Sequence, residues 1–270
     1  MEPLSHVRAV LLRRAVPNLW IVGFPKSGTT ALWRILHQHP SLQPAYRKTG
    51  GLLKEAYVLY PKKHWQAPSV PQQPRSLAGC LAESARLFLR RPWPGYGLLP
   101  RFRLESSPDY IYEPDAPRII RSLDPHSRIF ICLREPVSQI LSLYKHWTRI
   151  GLHEGRVEFR LDDVTRSGIP HRARFEMDRA VGRYLETFGP EALRFVLFER
   201  FARDNAGTAQ NLFRWLELRD AAFEPPPSEP SDTVLDLAPD FRQRAHEHFR
   251  PQVEALARMT GLDLEEAWGY

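Results

Sequence analysis

Cysteines, lysines and long apolar runs are all scarce in this sequence. Among the 270 residues there are 2 cysteines, Cys80 and Cys132, which are too few for a disulfide framework or a zinc site. No stretch approaches the roughly 20 consecutive apolar residues of a membrane-spanning helix. No block of five or six like charges marks a nucleic-acid-binding arm. The sequence therefore argues against disulfide-rich, zinc-binding and membrane-spanning classes, and we expect no nucleic acid partner.

The charge balance is basic, and arginine dominates it. The 38 Lys+Arg against 31 Asp+Glu give a formal net charge of +7, which suits an anionic ligand. Only 6 of these cations are lysines, so a lysine in a loop is uncommon here. Hydrophobic residues make up 43% of the chain, enough for a folded core, and Cys132 lies in an apolar run that we expect to be buried.

Three apolar segments are each followed by a helical pattern, which predicts strand–helix units. Asn18–Val22 precedes a helix over Thr29–His37, and Arg128–Leu133 precedes a helix that begins at Pro136. The third strand is predicted at Leu193–Phe198, between helices around 175–188 and 209–216. Continuous apolar strands alternating with helices predict an α/β fold: a single P-loop-like domain with a central parallel β-sheet flanked by helices.

The chain otherwise divides at proline-rich segments. We interpret residues 1–17 as an N-terminal extension and 18–270 as one domain, because no interdomain linker interrupts it. Residues 61–100 form a proline-rich excursion with one helix predicted at Leu77–Leu89. A terminal helix is predicted at Phe241–Met259, interrupted or kinked near Pro251.

The segment between the first strand and its helix has the properties of a phosphate-binding loop. Backbone N–H groups and the positive end of the helix dipole converge there. Gly28 allows close approach of the backbone, and Lys26 supplies a charge. Ser27, Thr29 and Thr30 supply hydroxyl donors, and Pro25 belongs to the turn. The order differs from the G-x-x-x-x-G-K-[ST] of metal-dependent kinases, where a hydroxyl beside the lysine holds Mg²⁺, and so indicates transfer without metal. The plainer alternative is an ordinary turn with a surface lysine.

A second anion site is predicted where the strand at 128–133 ends. Arg134 follows this strand, and Ser142 lies eight residues later, about two helical turns along. Because ligands of open α/β sheets bind at the carboxyl ends of strands, both side chains can face the same crevice as the loop. An arginine fork with a serine hydroxyl makes a second phosphate site, although a strand-end arginine is often only a surface residue.

Together these motifs resemble the 3′-phosphoadenosine-5′-phosphosulfate (PAPS)-dependent sulfotransferase family. In that family a Pro-Lys-Ser/Ala-Gly-Thr-Thr loop binds the 5′-phosphosulfate, and the resemblance implies the same role for Pro25–Thr30. A strand-end arginine and a serine eight residues later bind the 3′-phosphate, which implies this role for Arg134 and Ser142. The resemblance implies PAPS as the sulfuryl donor with no metal required, and makes 18–270 the sulfotransferase domain.

Further segments resemble the carbohydrate, heparan-sulfate-like branch of the family. Lys54-Glu55-Ala56-Tyr57 is similar to a motif whose glutamate serves as base, and Glu105–Tyr110 and Phe198–Phe201 resemble two later motifs. Ser106 departs from the branch, some of whose members have a lysine there. The resemblance implies a glycan or small-molecule acceptor, with 61–100 on the acceptor side.

The residues then define an expected mechanism. Sulfuryl transfer depends on positioning and electrostatics, so Lys26 is expected to stabilise charge that develops in the transition state. Glu55 is the candidate base, with His64, His146 and His153 as alternatives. We expect a cytoplasmic enzyme. Three readings stay open at this point: sulfation of a phenolic or lipid hydroxyl, a metal-dependent kinase of the same fold, and a non-catalytic nucleotide- or anion-binding module.

Overall fold

A computed structural model describes most of the predicted domain. Its described residues are 15–48, 51–60, 74–90, 100–149, 176–227, 233–235, 237 and 239–270. Most of the expected N-terminal extension lies outside them, as do 61–73 and 91–99 of the proline-rich excursion. His64 and His153, two of the alternative bases, also fall outside.

Five strands of the described residues form a parallel sheet. They are β1 (Leu19–Gly23), β2 (Leu42–Pro44), β5 (Phe102–Glu105), β6 (Arg128–Leu133) and β7 (Leu193–Leu197), in the order β2-β5-β1-β6-β7. A separate antiparallel pair is formed by β3 (Tyr46–Lys48) and β4 (Gly51–Leu53). The neighbours of β1 are β5 on one side and β6 on the other, so the strand order reverses at β1. The crevice at such a switch point is where ligands of open α/β sheets bind.

Helices cover both faces of the sheet, as the apolar strands predict. The α-helices within the described ranges are α1 (Thr29–Leu36), α2 (Leu77–Arg90), α3 (Ala116–Leu123), α4 (Pro136–Arg149), α5 (Met177–Phe188), α6 (Phe198–Arg203), α7 (Asn205–Trp215), α8 (Phe241–Thr260) and α9 (Leu264–Trp268). A short 3₁₀ helix, Pro108–Ile111, follows β5. No helix in the described part of the chain is both long and apolar enough to cross a bilayer.

Alternation along the central strands builds two hydrophobic layers. Trp20 and Ile131 face one layer, which α3, α5 and α8 complete, whereas Ile21 and Cys132 face the other, which α1 and α7 complete. Cys132 is fully buried, as expected from its apolar run. Because helices cover both faces of the sheet, residues along the central strands do not alternate between polar and apolar.

The three predicted strand–helix units are confirmed, with their ends shifted by a few residues at most. The helix of the proline-rich excursion is also confirmed, at Leu77–Arg90. At Pro251 the structure excludes the interruption that the sequence allowed: α8 runs as one helix from Phe241 through Pro251 to Thr260. Buried Phe249 and Val253 anchor it on both sides of the proline, and tertiary packing outweighs local propensity there.

Candidate active site

The loop between β1 and α1 has a backbone that few other sequences could adopt. A Cβ at Gly23 would lie 2.5 Å from the carbonyl oxygen of Cys132, so β1 and β6 approach closely where they end. A Cβ at Gly28 would lie 2.9 Å from the Phe198 ring, and Gly28 has φ 81°. Lys26 also has positive φ, 69°, which is uncommon for a non-glycine residue. The loop is therefore a tight turn at the carboxyl end of the central strand.

Two side chains from the β6–α4 segment hold this loop. Arg134 Nη1 donates a hydrogen bond to the carbonyl of Lys26 at 2.7 Å. Gln139 Nε2 donates to the carbonyl of Pro25, also at 2.7 Å. Both loop carbonyls are thus occupied by donors from the β6–α4 segment. The first backbone N–H groups of α1 have no partner within their own helix, and they form its positive end. The two motifs predicted from the sequence are thus brought together by direct contact.

Polar atoms in this region fit an anionic group. Ser27 Oγ and Arg134 Nε are buried and have no hydrogen-bond partner among the described residues. Buried polar groups in native proteins are nearly always bonded, so such atoms call for a ligand or water. A phosphate supplies several acceptor oxygens and matches both donors. The residues present therefore fit the PAPS phosphates that the loop motif implies.

The Arg134 guanidinium is held in place by its surroundings. Its Cζ lies 4.1 Å from the centroid of the Phe198 ring, a cation–π distance. Burial lowers the pKa of Arg134, and the carboxylates of Glu199 and Glu135 oppose this shift. An arginine stays protonated in either case, so the site keeps a fixed positive charge.

Helix α4 presents a polar face toward the loop. Gln139, Ser142 and His146 are separated by three and four residues, so they share one side of the helix. Gln139 touches the loop directly. Burial lowers the pKa of His146, and the positive charges of Lys26 and Arg149 lower it further, which places His146 near Lys26. Ser142, between them in the sequence, shares this side of the helix.

Glu55 lies at the same edge of the sheet. Its Oε1 is 2.7 Å from Lys54 Nζ, and its Oε2 accepts a hydrogen bond from Tyr57 Oη at 3.1 Å. The Ser106 N–H donates to the Lys54 carbonyl, which ties this segment to the end of β5. Burial raises the pKa of the Cys132 thiol, and the charge of Lys54 opposes that rise, which places Lys54 toward the end of β6. Glu55 is 39% exposed and so is open to an acceptor.

A carboxylate network supports the Arg134 side of the site. Glu135 accepts hydrogen bonds from the backbone N–H groups of Val137 and Ser138 at the start of α4. It also accepts one from Tyr270 Oη at 2.9 Å. Glu199 accepts one from the Glu135 N–H and one from Trp268 Nε1. The end of α9 is therefore fastened to the residue that follows Arg134.

Sequence reasoning missed Gln139 and the roles of Glu135 and Glu105. A signal existed for Gln139, since it is three residues before Ser142 on one helix. The contacts of Glu135 with Tyr270 and of Glu105 with Ala56 join distant segments and have no local signature. No group of three or more His, Cys, Asp or Glu side chains in the described ranges is arranged to hold a metal ion.

Comparisons with known proteins agree with this architecture. The solved structure of a sulfotransferase from Alicyclobacillus acidocaldarius is similar, with a TM-score of 0.71 and 26% identity, and covers 94% of this chain and 99% of that chain. The bifunctional heparan sulfate N-deacetylase/N-sulfotransferase 1 of Caenorhabditis elegans is 23% identical over 225 residues, and that of Caenorhabditis briggsae is 22% identical over 230. Each alignment covers 78% of this chain but only 23% and 24% of those proteins.

A family-wide match settles the assignment. The model of the sulfotransferase family matches residues 17–222, which include the loop, Glu55, Arg134 and Ser142 and amount to more than half of the chain. That span contains all seven strands of the described fold. The chain belongs to the sulfotransferase family and is a sulfotransferase enzyme.

Proposed function

We propose that this sulfotransferase moves the sulfuryl group of PAPS to a hydroxyl of a carbohydrate or a glycosylated small molecule. The observation that carries the proposal is the loop of residues 25–30, fastened by Arg134 and Gln139 and set at the sheet edge that also bears Glu55. A donor site and a base at one edge are what transfer to a hydroxyl requires.

The proposed donor site consists of the loop together with Arg134 and Ser142. The loop residues Pro25, Lys26, Ser27, Gly28, Thr29 and Thr30 bind the 5′ side, and Arg134 and Ser142 bind the 3′-phosphate. Buried Ser27 Oγ and Arg134 Nε, which have no partner among the described residues, support an anionic ligand against the loop and Arg134. When bound, PAPS supplies an activated sulfuryl group, and no metal is required.

Lys26 and Glu55 have separate roles in the proposed reaction. Lys26 stabilises the negative charge that grows on the leaving phosphate oxygen, an interaction that is strongest in the transition state. Glu55 accepts the proton of the acceptor hydroxyl, and Lys54 and Tyr57 hold its two oxygens in place. His146 is the rival base within the described residues, since its lowered pKa favours the neutral imidazole near Lys26.

The carbohydrate acceptor is supported by the Glu55 and Glu105–Tyr110 segments and by the names of the curated relatives. Those relatives act on heparan sulfate by name, so they support a glycan, but they are named as N-sulfotransferases and therefore do not support the hydroxyl itself; the chain spans about a quarter of their length. Activity on a glycan is therefore proposed for this chain, and a phenolic or lipid hydroxyl is the competing acceptor.

An acceptor panel tests the proposal. PAPS is incubated with the protein and each of 4-nitrophenyl glucoside, a desulfated heparin oligosaccharide, 4-nitrophenol and a long-chain alcohol, and products are scored by the mass gain of one sulfuryl group. The parent is compared with Glu55→Gln and with Glu186→Gln, the same change at an exposed site on α5. We expect sugar sulfation by the parent and the control only. Sulfation of 4-nitrophenol alone, with Glu55→Gln fully active, overturns both the acceptor and the base.

A further inference from the structure

Glu105 is a buried carboxylate that the proposed mechanism does not use. It ends β5, is 1% exposed and lies beside the segment that carries Glu55. Its Oε1 accepts the backbone N–H of Ala56 at 3.3 Å, and its Oε2 accepts the N–H of Ser107 at 2.9 Å. The Ser107 hydroxyl also donates to Glu105 Oε1. One carboxylate thus receives three hydrogen bonds at the edge where Glu55 lies.

The same contacts extend to Tyr57. The Tyr57 N–H donates to Ser107 Oγ at 3.3 Å, so the Glu105–Ser107 pair fixes two consecutive amides immediately after Glu55. Tyr57 has φ 51°, which is unusual for a bulky residue and persists only where surrounding contacts hold it. In this conformation Tyr57 Oη lies 3.1 Å from Glu55 Oε2 and 3.4 Å from Asp109 Oδ2.

We propose that Glu105 is a positioning residue for sulfuryl transfer. Through the amide of Ala56, and through Ser107 to the amide of Tyr57, it holds the turn that sets the Glu55 carboxylate at the acceptor edge. The inference rests on the proposed function, in which Glu55 is the base. It adds a residue that acts through Glu55 and touches neither donor nor acceptor.

The charge state of Glu105 makes this role depend on pH. The titratable groups that interact electrostatically with Glu105 are Glu55, Tyr46 on β3, Tyr110 on the 3₁₀ helix and Tyr184 on α5. The positive charge of Arg103 acts on Tyr46 and lowers the pKa of that phenol. Burial raises the pKa of Glu105 to about 7, against the hydrogen bonds from Ser107 and Ala56, which lower it. A protonated carboxyl loses acceptor capacity while the same donors still point at it. The turn therefore loosens as the pH falls through about 7.

The kinetic test compares Glu105→Gln, Ser107→Ala, Glu55→Gln and Glu186→Gln with the parent. Turnover and the KM for PAPS are measured from pH 5.5 to 9, with the member of the acceptor panel that the parent sulfates fastest. The native carboxylate uses both oxygens as acceptors, whereas a glutamine amide offers only one. Glu105→Gln is therefore expected to misplace the Glu55 turn and to lower kcat by roughly 10-fold to 10²-fold, the size of effect that misplacing a catalytic group has. Its KM for PAPS stays within about twofold, because the donor site is untouched.

The pH profile separates positioning from plain structural support. We expect the parent to lose kcat as the pH falls through about 7, and this limb to be absent in Glu105→Gln and retained in Glu186→Gln. Equal kcat and equal profiles for Glu105→Gln and the parent, with Glu55→Gln inactive, overturn this inference and leave the proposed function intact. Full activity of Glu55→Gln overturns the base assignment, and this inference with it.

Amide hydrogen exchange gives a second measurement that needs no acceptor. The Ala56 and Tyr57 amides are expected to be protected in the parent at pH 8, less protected at pH 6 after correction for intrinsic rates, and unprotected in Glu105→Gln at both values. Should Glu105→Gln not fold, Ser107→Ala is expected to lose protection at Tyr57. Unchanged protection in either folded variant contradicts the positioning role.

Discussion

Glu105 makes the stability of the protein depend on pH in a direction opposite to that of a salt-bridged acid. Its carboxyl is buried, and its pKa rises from an ordinary 4.5 to about 7 in the folded protein. The folded state therefore holds a proton that the unfolded chain has already released. The stabilising contribution is complete below pH 4.5 and is lost as the pH rises through about 7.

The magnitude follows from the two pKa values. With a value of 4.5 unfolded and about 7 folded, linkage gives a loss of about 2–3 kcal/mol in the free energy of unfolding between pH 5 and pH 8. For a protein of ordinary stability, about 5–15 kcal/mol, this loss is large enough to move the denaturant midpoint clearly.

Urea unfolding at pH 5 and pH 8 measures this loss. The change in unfolding free energy between the two pH values is compared in the parent, Glu105→Gln and the exposed control Glu186→Gln. Other titrating groups are common to all three proteins, so the difference between the first two isolates Glu105. We expect the parent and the control to lose about 2–3 kcal/mol more than Glu105→Gln. Equal pH dependence in all three would refute the raised pKa of Glu105.

Two further predictions concern the donor site. The parent is expected to bind 3′,5′-adenosine bisphosphate more tightly than AMP by at least about 1.5–3 kcal/mol of binding free energy, the contribution of a charge-assisted hydrogen bond, and Arg134→Ala is expected to remove this preference. Calorimetric titration of both nucleotides measures it. No preference in the parent contradicts the 3′-phosphate role of Arg134 and Ser142. Gly28→Ala is expected to lower the free energy of unfolding by at least about 1–2 kcal/mol, because the left-handed backbone and the Phe198 ring both oppose a Cβ. Its control is Gly182→Ala in α5, where a Cβ meets nothing within 4 Å and a stabilising change of up to about 1 kcal/mol is expected. Similar effects of the two alanines would contradict the tight loop.

The sequence was most informative where a strand, a turn and a helix follow each other directly. The apolar run of β6 and the proline at the start of α4 were sufficient to locate that unit, and the glycines around Lys26 indicated the loop. The short strands β2 and β5 were not predicted as strands from their patterns, because three or four residues carry too little periodicity to separate a strand from a loop.

Long-range polar contacts were the part that could not be predicted. Trp268 bonds Glu199 across 69 positions, and Glu105 bonds the Ala56 amide across 49. Neither pair has a local pattern, because the fold alone brings their segments together. Gln139 is different: it shares a helix face with Ser142, and helical spacing alone would have placed it toward the loop. The expected cytoplasmic location and the division at residue 17 stay predictions.

The effect of Lys26→Ala on turnover and on nucleotide affinity tests the central claim most directly. Transfer of labelled sulfate from PAPS is measured alongside calorimetric binding of 3′,5′-adenosine bisphosphate, in the parent and in Lys26→Ala. Because Lys26 is assigned to charge that grows in the transition state, turnover is expected to fall by roughly 10²-fold or more, as for the loss of a transition-state donor, and far more than affinity for the spent nucleotide. Turnover within about twofold of the parent would contradict the account.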